Sequence, residues 1–322
     1  MKLIKPSFEI LEQKPRAIAI PDDMEIGPRK VREELLNSIY RQIEIAGRIC
    51  YKSEDKITED SAKSFVERMI KAGHGAMLEH GTVYMKRYSI KDDNLDWARK
   101  YNLSPYAWVS YGTGSHRVGK VLYNTIYVTT NLRVLVEGNC LRDLEYLCEP
   151  TEYHEKRITV KFICDRGVSH EFVRHRVFSF AQESTRYCNY SKDKFDSECT
   201  FIIPCWLNIV EGSYTLEDVE EKYDRCLITD SGKGITNEAA EYIRSLIYSE
   251  KTYFSLLDRN WRPQQARAVL PNSLKTELVM TGFVSDWKHF FELRCSPSAH
   301  PQARELAIPL QKEFIARGYI NN

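Results

Sequence analysis

Net charge, long apolar runs and paired cysteine motifs are all scarce in this chain of 322 residues. Its 46 Lys and Arg against 45 Asp and Glu leave a formal charge of +1, too little for a field that gathers nucleic acid or an anionic membrane. No apolar run is long enough to cross a bilayer, and MKLIKPSFEILEQKPRAIAIPDD at the start lacks the continuous apolar stretch of a secretion signal. Nine cysteines is an odd number, and none sits in a Cys-x-x-Cys pair. That usage points to reduced thiols in the cytoplasm and away from a disulfide framework or a zinc site. Repeats, low-complexity tracts and linkers are missing too, so a single domain over 1–322 is expected.

What is present reads as a mixture of helices and strands. Val31, Leu35, Ile39 and Ile43 recur at helical spacing across 28–47. A second helix is expected from Thr58 to Gly73 with Phe65, Met69 and Ile70 inward, and 81–90 alternates as a strand. Residues 83–156 are expected to elaborate the main fold. Ile158, Val160, Phe162 and Cys164 share one face of a strand over 157–165, and GVSHEFVRHR (167–176) reads as a short helix capped by Ser169. Two long helical patterns follow, 213–228 and 236–257. Pro263 opens another helix, RPQQARAVL, SLKTELVMTG (273–282) is a strand, and Ser285 caps SDWKHFFELR. A last helix runs to about Gly318. The expected class is α+β, an antiparallel or mixed sheet flanked by long helices.

Several familiar motifs fail. GSHRVGKV (114–121) nearly spells a phosphate loop, but Val121 stands where Ser or Thr should hold magnesium, and the following VLYNTIYV reads as a strand. GTG at 112–114 does not extend to Gly-x-Gly-x-x-Gly because residue 117 is Arg. Ser184 has His175 and Glu183 nearby but lacks the Gly-x-Ser-x-Gly elbow, so a phosphate-binding or capping hydroxyl is the better account. His74, Glu79 and His80 in GHGAMLEH (73–80) have no third ligand at zinc spacing, and no metal is expected.

One constellation survives: RHRVFSFAQESTRYCNYS, residues 174–191. Surface arginines are ordinarily just solvated. Here Arg174, Arg176 and Arg186 crowd beside the uncharged donors and acceptors Ser179, Gln182, Ser184 and Thr185. If 169–176 is helical, Arg174 and Arg176 point about 200° apart and serve two different ligands, with His175 between. The forked guanidinium suits phosphates and the carbonyl edges of heterocycles.

This segment resembles the flavin-dependent thymidylate synthases, a family defined by Arg-His-Arg, seven residues and then Ser. Arg174-His175-Arg176, VFSFAQE and Ser184 fit without a gap. AGRICY (46–51) is similar to the family's early Ala-Arg-Val-Ser/Cys-Tyr segment, and GHGAMLEH to its Gly-His-x4-Glu-His segment. ARAVLP (266–271) together with Arg294 resembles its C-terminal pair of nucleotide-binding arginines. The likeness covers 40–82 and 157–310. It implies a homotetramer with active sites at subunit interfaces, each holding FAD, dUMP and 5,10-methylenetetrahydrofolate, with NADPH reducing the flavin.

Carried over by position, the resemblance implies that His74, Glu79, Arg174, His175, Arg176, Gln182, Phe283, Val284, Ser285 and His289 contact FAD. Glu171, Phe172, Val173, Arg174, Gln182, Glu183, Ser184, Thr185 and Arg186 would surround dUMP, with Arg267 at its phosphate. Arg294 would lie at the uracil ring as the activating residue. Three positions depart from the family: Ala76 for Thr, Glu171 for Gln and Phe283 for Asn. A carboxylate at 171 is costly beside a phosphate unless an arginine pairs with it. Two rival readings stay open. Cys205 in IIPCW (202–206) superficially resembles the nucleophile of the flavin-free thymidylate synthases, although no His or Gln follows it as in that family. A non-catalytic nucleotide- or RNA-binding protein is the other, against which the neutral charge and the lack of a basic-aromatic stripe weigh.

Overall fold

Among the described residues the strands pair into three sheets instead of the single one expected. The structure is a computed structural model that describes residues 1–15, 28–89, 93–112, 116–118, 121–192, 195–221 and 236–321. Its central sheet runs β2 (Ser7–Leu11), β7 (Arg157–Asp165), β11 (Lys275–Phe283), β8 (Ser179–Gln182), antiparallel throughout. The expected face of β7, Ile158, Val160, Phe162 and Cys164, joins Leu278 and Met280 of β11. Two helices cover that face: α9 (Val284–Arg294) with Trp287, Phe290 and Phe291, and α10 (Pro301–Ala316) with Leu306, Leu310 and Phe314. On the other face Ala181 and Val279 meet Ala46 and Ile49 of α1 (Pro28–Tyr51). The sheet is thus clamped between helices.

A second antiparallel sheet consists of β3 (Thr82–Ser89), β6 (Val121–Asn131) and β4 (Trp108–Tyr111), with β5 (His116–Val118) also on β6. VLYNTIYV is therefore strand, as read. Residues 83–156 do more than decorate the fold: Val83, Met85, Ile126, Val128, Leu132 and Leu135 share one core with Leu35, Ile39 and Ile43 of α1 and Phe65, Val66 and Met69 of α2 (Ser61–Lys71). The third sheet, β10 (Gly212–Ser213), β1 (Lys2–Ile4), β9 (Thr200–Ile202), is mixed, since β1 is antiparallel to β10 and parallel to β9. It packs with α7 (Asn237–Asp258) through Leu3, Phe201, Ile243 and Leu246.

Element ends correct several expectations. The helix expected from Thr58 starts at Ser61, because the Thr58 amide donates to Ser61 Oγ (2.9 Å) in a preceding turn. It does stop near Gly73, whose φ of +69 suits glycine. Asp165, not Ser169, caps α6 (Arg166–Phe172): its carboxylate accepts the Val168 amide at 2.7 Å, while the Ser169 hydroxyl donates to the Arg166 carbonyl inside the helix. Ser285 likewise lies inside α9, where Asp286 accepts the Phe283 amide (3.0 Å) and Glu155 accepts the Ser285 amide (3.0 Å). At both ends a carboxylate displaces a hydroxyl, favoured by the positive end of the helix. The helix expected from 213 begins at 216, after β10, and its part over 222–228 lies outside the described residues. RPQQARAVL forms only α8 (Pro263–Ala266) and a 3-10 turn to Val269.

Candidate active site

Because α6 ends at Phe172, Arg174-His175-Arg176 lies in a turn and not on the helical face expected for it. The cause is tertiary. Phe172 is fully buried against Phe162 and Phe290, and Phe178 must reach the same cluster, its ring 4.7 Å from Trp287. The chain therefore folds back, with the His175 amide donating to the Phe172 carbonyl (3.1 Å) and the Phe178 amide to the His175 carbonyl (3.1 Å). The helical argument for two diverging arginines lapses. Arg174 and Arg176 are nonetheless exposed on either side of a buried His175.

Arg294, in the last turn of α9, closes over this turn. Its Nε donates to His175 Nε2 (3.0 Å), Nη1 to Glu171 Oε2 (2.5 Å) and Nη2 to the Glu171 carbonyl (2.8 Å). An imidazole nitrogen that accepts from guanidinium must be unprotonated, so His175 is neutral with its proton on Nδ1. Burial, then the charges of Arg294 and His289, push its pKa down to about 4. The carboxylate at 171 has the arginine partner that its position demanded. Arg294 has five N–H donors, three of them occupied, which leaves one on each terminal nitrogen.

The stretch 182–186 divides between structure and surface. Gln182 Nε2 donates to Ser169 Oγ (2.9 Å) and Thr276 Oγ1 (3.2 Å). Glu183 is buried and accepts from Tyr190 Oη (3.2 Å) and Lys275 Nζ (2.9 Å), so its carboxylate is committed to the interior. The Ser184 amide donates to the Cys50 carbonyl (3.0 Å), fixing this strand exit to the end of α1. Arg186 is exposed over the Tyr187 ring (5.6 Å), and Tyr187 packs on Tyr51 (5.4 Å). Arg267 Nη1 donates to Thr185 Oγ1 (3.0 Å). These two residues line a cavity of about 270 Å³ together with Arg166, whose Nη1 is buried without a partner. A buried cationic N–H without an acceptor is costly, which makes Arg166 a candidate contact for an anion. Sequence reasoning missed it, since nothing local distinguishes the first residue of α6.

The remaining expected residues divide between the core and the surface. Phe172 and Val284 place their side chains in the core, and Val173 is half-buried. Phe283 is buried with the Arg157 guanidinium over its ring (5.6 Å). Ser285 and His289 are exposed, the His289 ring 6.4 Å from that of His175. Glu79 pairs with Arg133 (2.5 Å), and its carbonyl accepts from the buried Arg157 (3.0 Å), whose pKa burial lowers to about 10. His74 and Ala76 are exposed. His80 is a buried packing residue, its Nδ1 2.8 Å from Thr281 Oγ1. Cys205 is exposed, and burial of its sulfur with the Glu305 charge raises its pKa, the reverse of an activated nucleophile. Among the described residues no group of three or more His, Cys, Asp or Glu could hold a metal, and no helix is long and apolar enough to cross a membrane.

The chain is similar to known proteins. Residues 151–317 match the family model Thy1, thymidylate synthase complementing protein. A flavin-dependent thymidylate synthase of Corynebacterium efficiens is 32% identical over 216 residues, 64% of this chain and 79% of its own. That of Corynebacterium aurimucosum is 24% identical over 272 residues, 84% of this chain and 73% of its own. The Mycolicibacterium gilvum enzyme of the same name is 30% identical over 151 residues, 47% of this chain and 54% of its own. Among solved structures, a UMP/dUMP methylase of Streptomyces cacaoi bound with 5-Br dUMP covers 98% of this chain and 93% of its own, at 16% identity and a TM-score of 0.39. With the family model matched over more than half of its length and relatives of that name, this chain belongs to the flavin-dependent thymidylate synthase family.

Proposed function

We propose that this chain methylates dUMP to dTMP, the reaction for which its family is named, taking the one-carbon unit from 5,10-methylenetetrahydrofolate and reducing equivalents from NADPH through FAD. The observation that carries the reading is Arg294, held on three sides by Glu171 and a neutral His175 with two donors left. A fixed cation beside N3 and a neighbouring carbonyl of uracil lowers the proton affinity of the ring and so raises its electron density. Arginine does this without titrating itself. His175 accepts a hydrogen bond from Nε–H of Arg294 and, being neutral, adds no second charge. Glu171 balances Arg294 until the nucleotide arrives. Arg267 and Arg166, with Thr185 between their cavity and β8, suit the dianionic phosphate.

Arg174 and Arg176 fit FAD by their chemistry: both guanidinium groups are exposed and have no acidic partner among the described residues. With His175, His289 and Ser285 they would hold it, and His74 and Glu79 would form its wall. When bound, FAD supplies the hydride that completes the methyl group. The exposure of these groups on one chain supports a site completed by another subunit, in a homotetramer. All eight described cysteines are free thiols, in keeping with the cytoplasm.

Arg294→Ala tests the reading. It is expected to keep FAD, the fold and NADPH oxidation but to lose thymidylate formation by about 10²–10³-fold, the usual cost of removing a donor aimed at developing charge. Near-native product formation with only a lowered Tm would reduce Arg294 to a favourable cation at a helix C-terminus.

A further inference from the structure

A second cavity, about 380 Å³, opens between the end of α1 and α2, and Tyr51, Lys56, Phe65, Arg68 and His74 line it. Its floor is a built aromatic surface. A Cβ at Gly47 would stand 2.5 Å from Phe65 Cζ, so glycine there lets the ring lie directly on α1. The Arg48 and Arg68 guanidinium groups sit 4.9 and 5.4 Å from that ring's centroid. Arg48 is paired with Glu44 at 2.9 Å. Arg68 and Lys56 have no acidic partner among the described residues and are exposed, although Asp55 also borders the cavity. The cavity therefore joins aromatic rings to two uncommitted cations.

Its neighbours connect it to both expected ligands. Tyr51 packs on Tyr187, three residues after Ser184 on the nucleotide side, and His74 belongs to the expected flavin wall. A folate co-substrate must hand its carbon to the nucleotide where the flavin's hydride can reach it. Beyond its pterin it is an aromatic ring followed by a chain of carboxylates. Resting on the reaction proposed above, we infer that this cavity takes the p-aminobenzoyl-polyglutamate end of the folate, with Arg68 and Lys56 pairing the glutamate carboxylates. A phosphate of NADPH or FAD offers the same chemistry, an anion on an aromatic body, and the test separates the three.

The measurement is KM for mono- and pentaglutamylated methylenetetrahydrofolate in the FAD-loaded enzyme, with KM for NADPH and the flavin content alongside. The native enzyme is expected to favour the pentaglutamate about fivefold, what two exposed ion pairs contribute, and less as ionic strength rises. In Lys56→Gln/Arg68→Gln the ratio should fall to about one, and Arg68→Lys should recover part of it through its charge. Equal KM values in the native enzyme, an unchanged ratio in the double variant, or a change confined to NADPH or flavin binding would each overturn the assignment. Absence of thymidylate from either folate would overturn the reaction and this site with it.

Discussion

Two clusters of charged side chains, both reached from the short strand β8, obey opposite rules. In one, Glu183, Lys275, Glu277, Lys52 and Glu54 alternate in sign: Lys275 Nζ is 2.9 Å from Glu183 and 2.7 Å from Glu277, and Lys52 Nζ is 2.7 Å from Glu277 and 2.8 Å from Glu54. Burial alone would raise the pKa of Glu277, but Lys275 and Lys52 hold it down at about 2. In the other, Arg174, Arg176 and Arg186 have no acidic partner among the described residues, and Arg294 keeps two donors unused. Both are rich in charge. What separates a scaffold from a binding surface is whether the charges are already answered within the chain.

Breaking the answered cluster should have the largest effect on stability. Lys275→Met leaves the buried Glu183 without its cation while Glu277 keeps only Lys52, and is expected to cost about 3–5 kcal/mol in chemical denaturation. A loss under about 1 kcal/mol would mean that water already screens this cluster as it does a surface pair. On the unanswered side, Arg176→Gln is expected to leave stability within about 0.5 kcal/mol. It should weaken flavin binding by about 1.5–3 kcal/mol, read by titration with FAD. Equal destabilisation by the two variants would erase the contrast.

A pH series sharpens it further. His175 titrates at about 4 in the folded chain, below its ordinary value, so the unfolded chain binds more protons between those two values. The stability that a neutral His175 contributes is therefore present above the window and lost as pH falls through it. At about pH 5 the loss is on the order of 2 kcal/mol, and the difference between native protein and His175→Gln isolates it from other buried histidines. The contribution of Glu277, with its pKa lowered, is present above the ordinary carboxylate range and is lost only as pH falls from there towards 2. A native protein and a His175→Gln variant with the same acid profile would refute the neutral, arginine-bound imidazole.

The pattern of residues pointed to the family and to a candidate site, but not to the shape of that site. Val31, Leu35, Ile39 and Ile43, and the alternate positions of β7, were legible because each set records burial against one surface. The helix starts were not. Ser169 and Ser285 are good capping residues, and only the fold brings Asp165, Asp286 and Glu155 to the free amides instead. Arg174-His175-Arg176 was legible as a motif and misread as a helix, because the turn is imposed by Phe172 and Phe178 converging on Phe290 and Trp287. Glu183 was expected at the nucleotide, yet its carboxylate meets Lys275, 92 positions away. Arg166 was silent for the same reason, since an orphaned donor exists only once the chain around it has folded.

The strand β11 passes without interruption into α9, and the 11 residues of that helix carry the chain from the sheet to Arg294. A helix advances about 1.5 Å and turns about 100° with each residue. One residue inserted or deleted between Phe283 and Arg294 would swing the guanidinium off His175 and shift it along the axis, whatever the identity of the added residue. The length of this stretch, as much as the identity of its buried aromatics, therefore acts as a gauge that sets where Arg294 meets His175.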